Sequence, residues 1–127
     1  MEARKAERKK ILLIDDTHTF LLILNNILKE DYETIIATDG EEGLETARLT
    51  SPDLILLHVL MPGMSGYDVL RALKSDESTK SIPVILASGK DIDNHEAEAA
   101  TLGAVGFLKK PFDKVEVQEN VAKVFNS

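Results

Sequence analysis

The chain has 127 residues, 43% of them apolar and 29% charged, with a net charge of −7 and no cysteine. That length suits one domain with a real core, and the composition excludes a disordered chain. The acidic balance argues against nucleic-acid binding, the lack of cysteine excludes disulfides and thiolate chemistry, and no apolar run nears the roughly 18–20 residues of a membrane span.

The chain opens with Glu2, Arg4, Lys5, Glu7, Arg8, Lys9 and Lys10. This charged lead-in over residues 1–9 lacks the apolar core of a signal peptide, so a cytoplasmic location is expected. It reads either as a solvated terminus or as the end of a helix arriving from another domain. From residue 10 to 127 a single domain is expected. Its first apolar run, Ile11–Ile14, is short and continuous, as in a strand buried on both faces. Phe20, Leu24, Ile27 and Leu28 then recur at helical spacing. A second run spans 34–37, and Asp39 with Glu42 marks the start of the next helix. There a side-chain oxygen accepts free backbone N–H groups and an acid complements the helix dipole.

The rhythm continues with a third run over 54–60 and a helix opened by Ser65 and Asp68. A fourth run covers 84–87, followed by a helix opened by Asp93 and Glu96 and ended at Gly103. The last run, 104–108, leads to a helix opened by Asp113 and Glu116, with Val117, Val121, Val124 and Phe125 on one face. Strand and helix alternate five times, which predicts a parallel sheet with helices on both faces and right-handed crossovers.

In a doubly wound sheet, functional groups gather at the carboxyl ends of the strands. Here those ends carry Asp15 and Asp16, then His58, then Ser88, then Lys110 followed by Pro111. Two carboxylates at one strand end are costly to hold together unless a cation lies between them. Magnesium takes such oxygen ligands, and a lysine with a hydroxyl can bind phosphate oxygens.

The segments Ile11-Leu-Leu-Ile-Asp-Asp16, Pro52-Asp-Leu-Ile-Leu-Leu-His58 through Gly66, Pro83 to Ser88 and Gly106 to Phe112 resemble the signature segments of response-regulator receiver domains. The resemblance covers nearly the whole chain. It implies a CheY-like, flavodoxin-like doubly wound sheet of strand order 2-1-3-4-5 in a three-layer αβα sandwich. It further implies that Asp15, Asp16 and the backbone carbonyl of Leu60 hold Mg2+, and that Ser88 and Lys110 meet a phosphoryl group, with the Lys110–Pro111 bond cis. Phe107 would be an aromatic switch. The implied role is a non-enzymatic signalling module. Its implied partners are a histidine kinase or histidine phosphotransfer domain and an output domain or protein, not nucleic acid or membrane. Helix four, strand five and helix five form the expected contact face, including for a homodimer. The chain reads as a stand-alone receiver or as part of a larger regulator or hybrid kinase.

One position departs from the pattern. Where the family resemblance implies a phosphoacceptor aspartate, this chain has His58. An imidazole cannot form an acyl phosphate, so ordinary aspartyl phosphorylation is expected to be lost. With His58 neutral, two carboxylates and Lys110 leave one net negative charge; with His58 protonated the site balances without a metal. Weakened magnesium binding is therefore expected, with His58 as an internal counter-cation. An alternative makes Asp15, Asp16 and His58 a nitrogen–oxygen site for zinc, nickel or cobalt. His58 is either native to a pseudo-receiver or a replacement in a true one. His18 and His95 read as solvated. A flavin binder is disfavoured by the acidic loop after strand one, a phosphohydrolase by the lack of a second catalytic set, and Ser88-Gly-Lys90 lacks the upstream glycine of a P-loop.

Overall fold

The structure, a computed structural model, describes residues 8–89 and 95–126. Five strands and five helices alternate: β1 (Lys10–Ile14), α1 (His18–Leu28), β2 (Glu33–Ala37), α2 (Gly40–Thr50), β3 (Leu54–His58), α3 (Gly66–Ser75), β4 (Val84–Ser88), α4 (His95–Thr101), β5 (Gly106–Lys109) and α5 (Lys114–Phe125). All pairings are parallel and the strand order is β2-β1-β3-β4-β5. The sheet reverses direction of growth between β1 and β3, which opens a crevice above their carboxyl ends.

Strands β1, β3, β4 and β5 divide their side chains between two cores. Leu12, Ile14, Ile55, Leu57, Val59, Val84 and Leu86 face one apolar cluster shared with Leu44, Ala47, Val69, Leu70 and Leu73 of α2 and α3. Ile11, Leu13, Leu54, Leu56, Ile85, Ala87 and Leu108 face the other, with Leu21, Leu24 and Leu28 of α1 and Val117 and Val121 of α5. Central strands covered on both faces explain the unbroken apolar runs. The edge strand β2 is less covered, and Ile36 stays 45% exposed.

Two apolar runs reach beyond the strands they mark. β3 ends at His58, the strand end the sequence indicates, although the apolar run continues past it to residue 60, because Gly66 N donates to Val59 O at 2.7 Å and turns the chain off the sheet. β5 runs over Gly106–Lys109 because Ala104 N donates to Ala99 O at 2.9 Å and so still belongs to the end of α4. The caps at Asp39, Ser65 and Asp113 form as expected, each side chain accepting from the N–H of the acid three positions on. Ser65 and Asp68 complete a reciprocal capping box. The Asp93/Glu96 pair and most of the N-terminal lead-in lie outside the described residues. Gly103 takes φ +99°, the left-handed conformation that closes α4.

No helix among the described residues is long and apolar enough to cross a membrane.

Candidate functional site

The carboxyl ends of β1, β3 and β5 converge on one cluster of charge. Alternation along the strands explains which groups meet. Ile11 and Leu13, Leu54 and Leu56, and Leu108 all face the core beside α1 and α5, and the same parity carries Asp15, His58 and Lys110 to that side. Asp15 is 2% exposed and Lys110 6%. Lys110 Nζ donates to Asp15 Oδ2 at 3.0 Å, and His58 Nδ1 lies 3.0 Å from Asp15 Oδ1. The backbone N–H of Thr17 adds a third donor, 2.9 Å from the same Oδ1. Asp16 lies further out, its Oδ1 3.3 Å from His58 Nδ1.

An ionised carboxylate only accepts. With carboxylate oxygens on both sides of it, Nδ1 of His58 must carry the ring's donated proton. The imidazole thus stands between the two acids, where the sequence calls for a cation. Burial pushes the Asp15 carboxyl up, but the bonds from His58, Thr17 and Lys110 outweigh it and hold the group below its ordinary value. Burial holds Lys110 below the usual lysine value, against the pull of Asp15 and Asp16.

The ammonium of Lys110 also sits 3.6 Å from the ring centroid of Phe20, and Phe112 lies edge-on to Phe20 with centroids 5.7 Å apart. This aromatic wall escaped the sequence reading, where Phe20 registers only as part of the apolar face of α1. The signal was a phenylalanine one turn into the helix after the acidic pair, together with another just after Lys110–Pro111. That last peptide bond is cis, as expected.

Ser88 does not join the charged cluster by any bond. It is fully buried, and its Oγ has no hydrogen-bond partner among the described residues. Strand parity turns Ser88 toward the core beside α2 and α3, where Phe107 also packs half-buried. The candidate residues are therefore split between two faces of the sheet. Leu60 lies in the loop after β3, 59% exposed. Lys109 and His18 are exposed, and the side chain of His95 lies outside the described residues.

A family profile described as response regulator receiver domain matches residues 11–122. The chain belongs to this family. Among curated receiver proteins it is 40% identical over 107 residues to response regulator PleD of Caulobacter vibrioides, covering 84% of this chain but only 24% of that protein. It is 33% identical over 119 residues to protein PilH of Pseudomonas aeruginosa, covering 93% of this chain and 95% of PilH. A solved putative response regulator from Chloroflexus aurantiacus superposes with a TM-score of 0.90 at 26% identity, covering 95% of this chain and all of that one. The receiver fold, of strand order 2-1-3-4-5, is thus common to this chain and its relatives.

Magnesium prefers oxygen ligands. In this receiver the two acidic groups already share an imidazole N–H, and the third side chain within reach offers nitrogen. The donor set as it stands fits magnesium poorly.

Proposed function

We propose that this chain is a two-component receiver that signals through protein–protein contacts, with ordinary aspartyl phosphorylation lost at His58. The observation that carries this reading is the imidazole Nδ1, within 3.0 and 3.3 Å of Asp15 and Asp16 at the end of β3. In this reading residues 10–127 form the receiver unit, with 1–9 as a lead-in. His58 stands at the acceptor position, its N–H doing for the acidic pair what a metal ion would otherwise do. Ser88 and Phe107 form the switch pair on the opposite face. Magnesium, held by Asp15, Asp16 and the Leu60 carbonyl in the family pattern, binds weakly here. The partners are a histidine kinase or phosphotransfer domain and an output domain or protein, met through α4, β5 and α5, and the module works in the cytoplasm as a binding element rather than an enzyme.

The test is incubation with acetyl phosphate and magnesium, followed by measurement of alkali-labile phosphate on the protein. An acyl phosphate is expected on the His58→Asp variant and none on the native chain. An alkali-labile adduct on the native chain overturns the reading.

A second reading has one observation in its favour. Ligand atoms of Asp15, Asp16 and His58 lie within 4.8 Å of one another, a nitrogen–oxygen set suited to zinc, nickel or cobalt. It requires Nδ1 to exchange its proton for the metal. Zinc titration by calorimetry decides it: this reading requires one site that disappears in His58→Ala, and heat unchanged by that substitution removes it.

A further inference from the structure

The imidazole of His58 has two differently placed nitrogens. Nδ1 is fixed by Asp15 and Asp16. Nε2 makes no hydrogen bond to any described residue, and it is not sealed in. The fully buried, unpartnered polar atoms include Ser88 Oγ but not Nε2, and the His58 side chain keeps 12% of its surface open. A carboxylate that holds the N–H of one ring nitrogen fixes the tautomer and leaves the lone pair on the other. This is the arrangement by which a carboxylate fixes the tautomer and orientation of an imidazole beside a reacting group.

We propose that Nε2 of His58 is a phosphoryl acceptor, so that this receiver takes phosphate as a phosphoramidate instead of an acyl phosphate. The inference rests on the reading that His58 stands at the acceptor position. The donor class is a phosphoramidate, whether a phosphohistidine on a partner or a small molecule. In the step, the Nε2 lone pair attacks phosphorus and a P–Nε2 bond forms. The donor's P–N bond breaks, and its nitrogen leaves with that electron pair and takes a proton from solvent. Nδ1 keeps its proton and its contacts to the two carboxylates throughout.

The charge around the acceptor permits approach of an anion. Asp15 is already engaged at both oxygens, Oδ1 by His58 and Thr17 and Oδ2 by Lys110. Its negative charge is answered inside the protein. Asp16, 31% exposed, is screened by water on its outer side.

The experiment uses potassium phosphoramidate as donor with magnesium present. The chain has three histidines, so His18→Asn/His95→Asn leaves His58 alone. Intact mass and phosphorus NMR of this variant are expected to show one phosphoryl group on Nε2, labile to acid and stable to alkali. The adduct is expected to vanish when His58→Gln is added, with circular dichroism checking that this variant folds. No adduct on the single-histidine variant, or one on Nδ1, overturns the inference. If His58→Asp still takes up an alkali-labile group in the same experiment, the receiver reading survives that loss. An alkali-labile adduct on the native chain overturns both.

Discussion

The ammonium of Lys110 lies 3.6 Å from the ring centroid of Phe20 while it donates to Asp15 at 3.0 Å. A cation held between a carboxylate and an aromatic face has little reason to leave either. Because Lys110 is almost wholly buried, the ring takes the place of the water that would otherwise solvate it.

Phe20→Leu therefore removes both the cation–π contact and the edge-on packing against Phe112. The expected cost is about 1–3 kcal/mol, read as a lower urea midpoint at unchanged m-value. A double-mutant cycle with Lys110→Met is expected to return a coupling of about 0.5–2 kcal/mol. Strict additivity would show that the two side chains are neighbours without interaction.

Asp15 and Lys110 form a buried pair, and breaking it from one side strands a charge. Lys110→Met is expected to cost about 3–5 kcal/mol. The Asp15 carboxyl is held below its ordinary value of 3.8 in the folded chain. Its stabilising contribution is therefore complete above that value and is lost as pH falls through the lower folded value. Acid unfolding curves of Asp15→Asn, less stable at neutral pH, are expected to be flatter below 3.8. An unchanged slope there contradicts the assignment.

Gly66 begins α3 against the end of β3. A Cβ added there would lie on the carbonyl oxygen of His58 and 2.8 Å from Val59 Cα, both backbone atoms with nowhere to go. Gly66→Ala is expected to cost about 3 kcal/mol or more and to perturb the amide resonances of His58 and Val59. A neutral substitution would mean that the loop after β3 yields freely.

Ser88→Ala tests the unpartnered hydroxyl. Removing a buried polar group that has no partner relieves its desolvation cost, so a neutral change or a gain of up to about 1 kcal/mol is expected from thermal unfolding. A loss of similar size would show that the hydroxyl is bonded after all, for instance to a buried water.

Magnesium binding follows from the occupied acidic pair. His58→Asp removes the imidazole N–H and adds an oxygen ligand, and its affinity is expected to exceed that of the native chain by about tenfold or more. Calorimetric titration of the two proteins at one pH checks it, and equal affinities remove His58 as the reason for weak binding.

The sequence by itself determined the order of elements, the parallel sheet and the strand ends where Asp15, Asp16, His58, Ser88 and Lys110 sit. These rest on local chemistry: apolar runs too short for helices, capping residues at fixed offsets, and a glycine where a left-handed turn is needed. It also singled out His58, because the family resemblance, read in register, implies an aspartate at that position. Only the tertiary structure decided which of these residues meet. Pairing Ile14 with Leu57 and Ala87 with Leu108 sets the strand ends level, and strand parity then sends Asp15, His58 and Lys110 to one side and Ser88 to the other. The Phe20 wall behind Lys110 depends on how α1 packs across the sheet from β5, a contact between residues 90 positions apart. No local pattern encodes such a meeting, because it is fixed by the packing of a whole helix and not by the preferences of either residue.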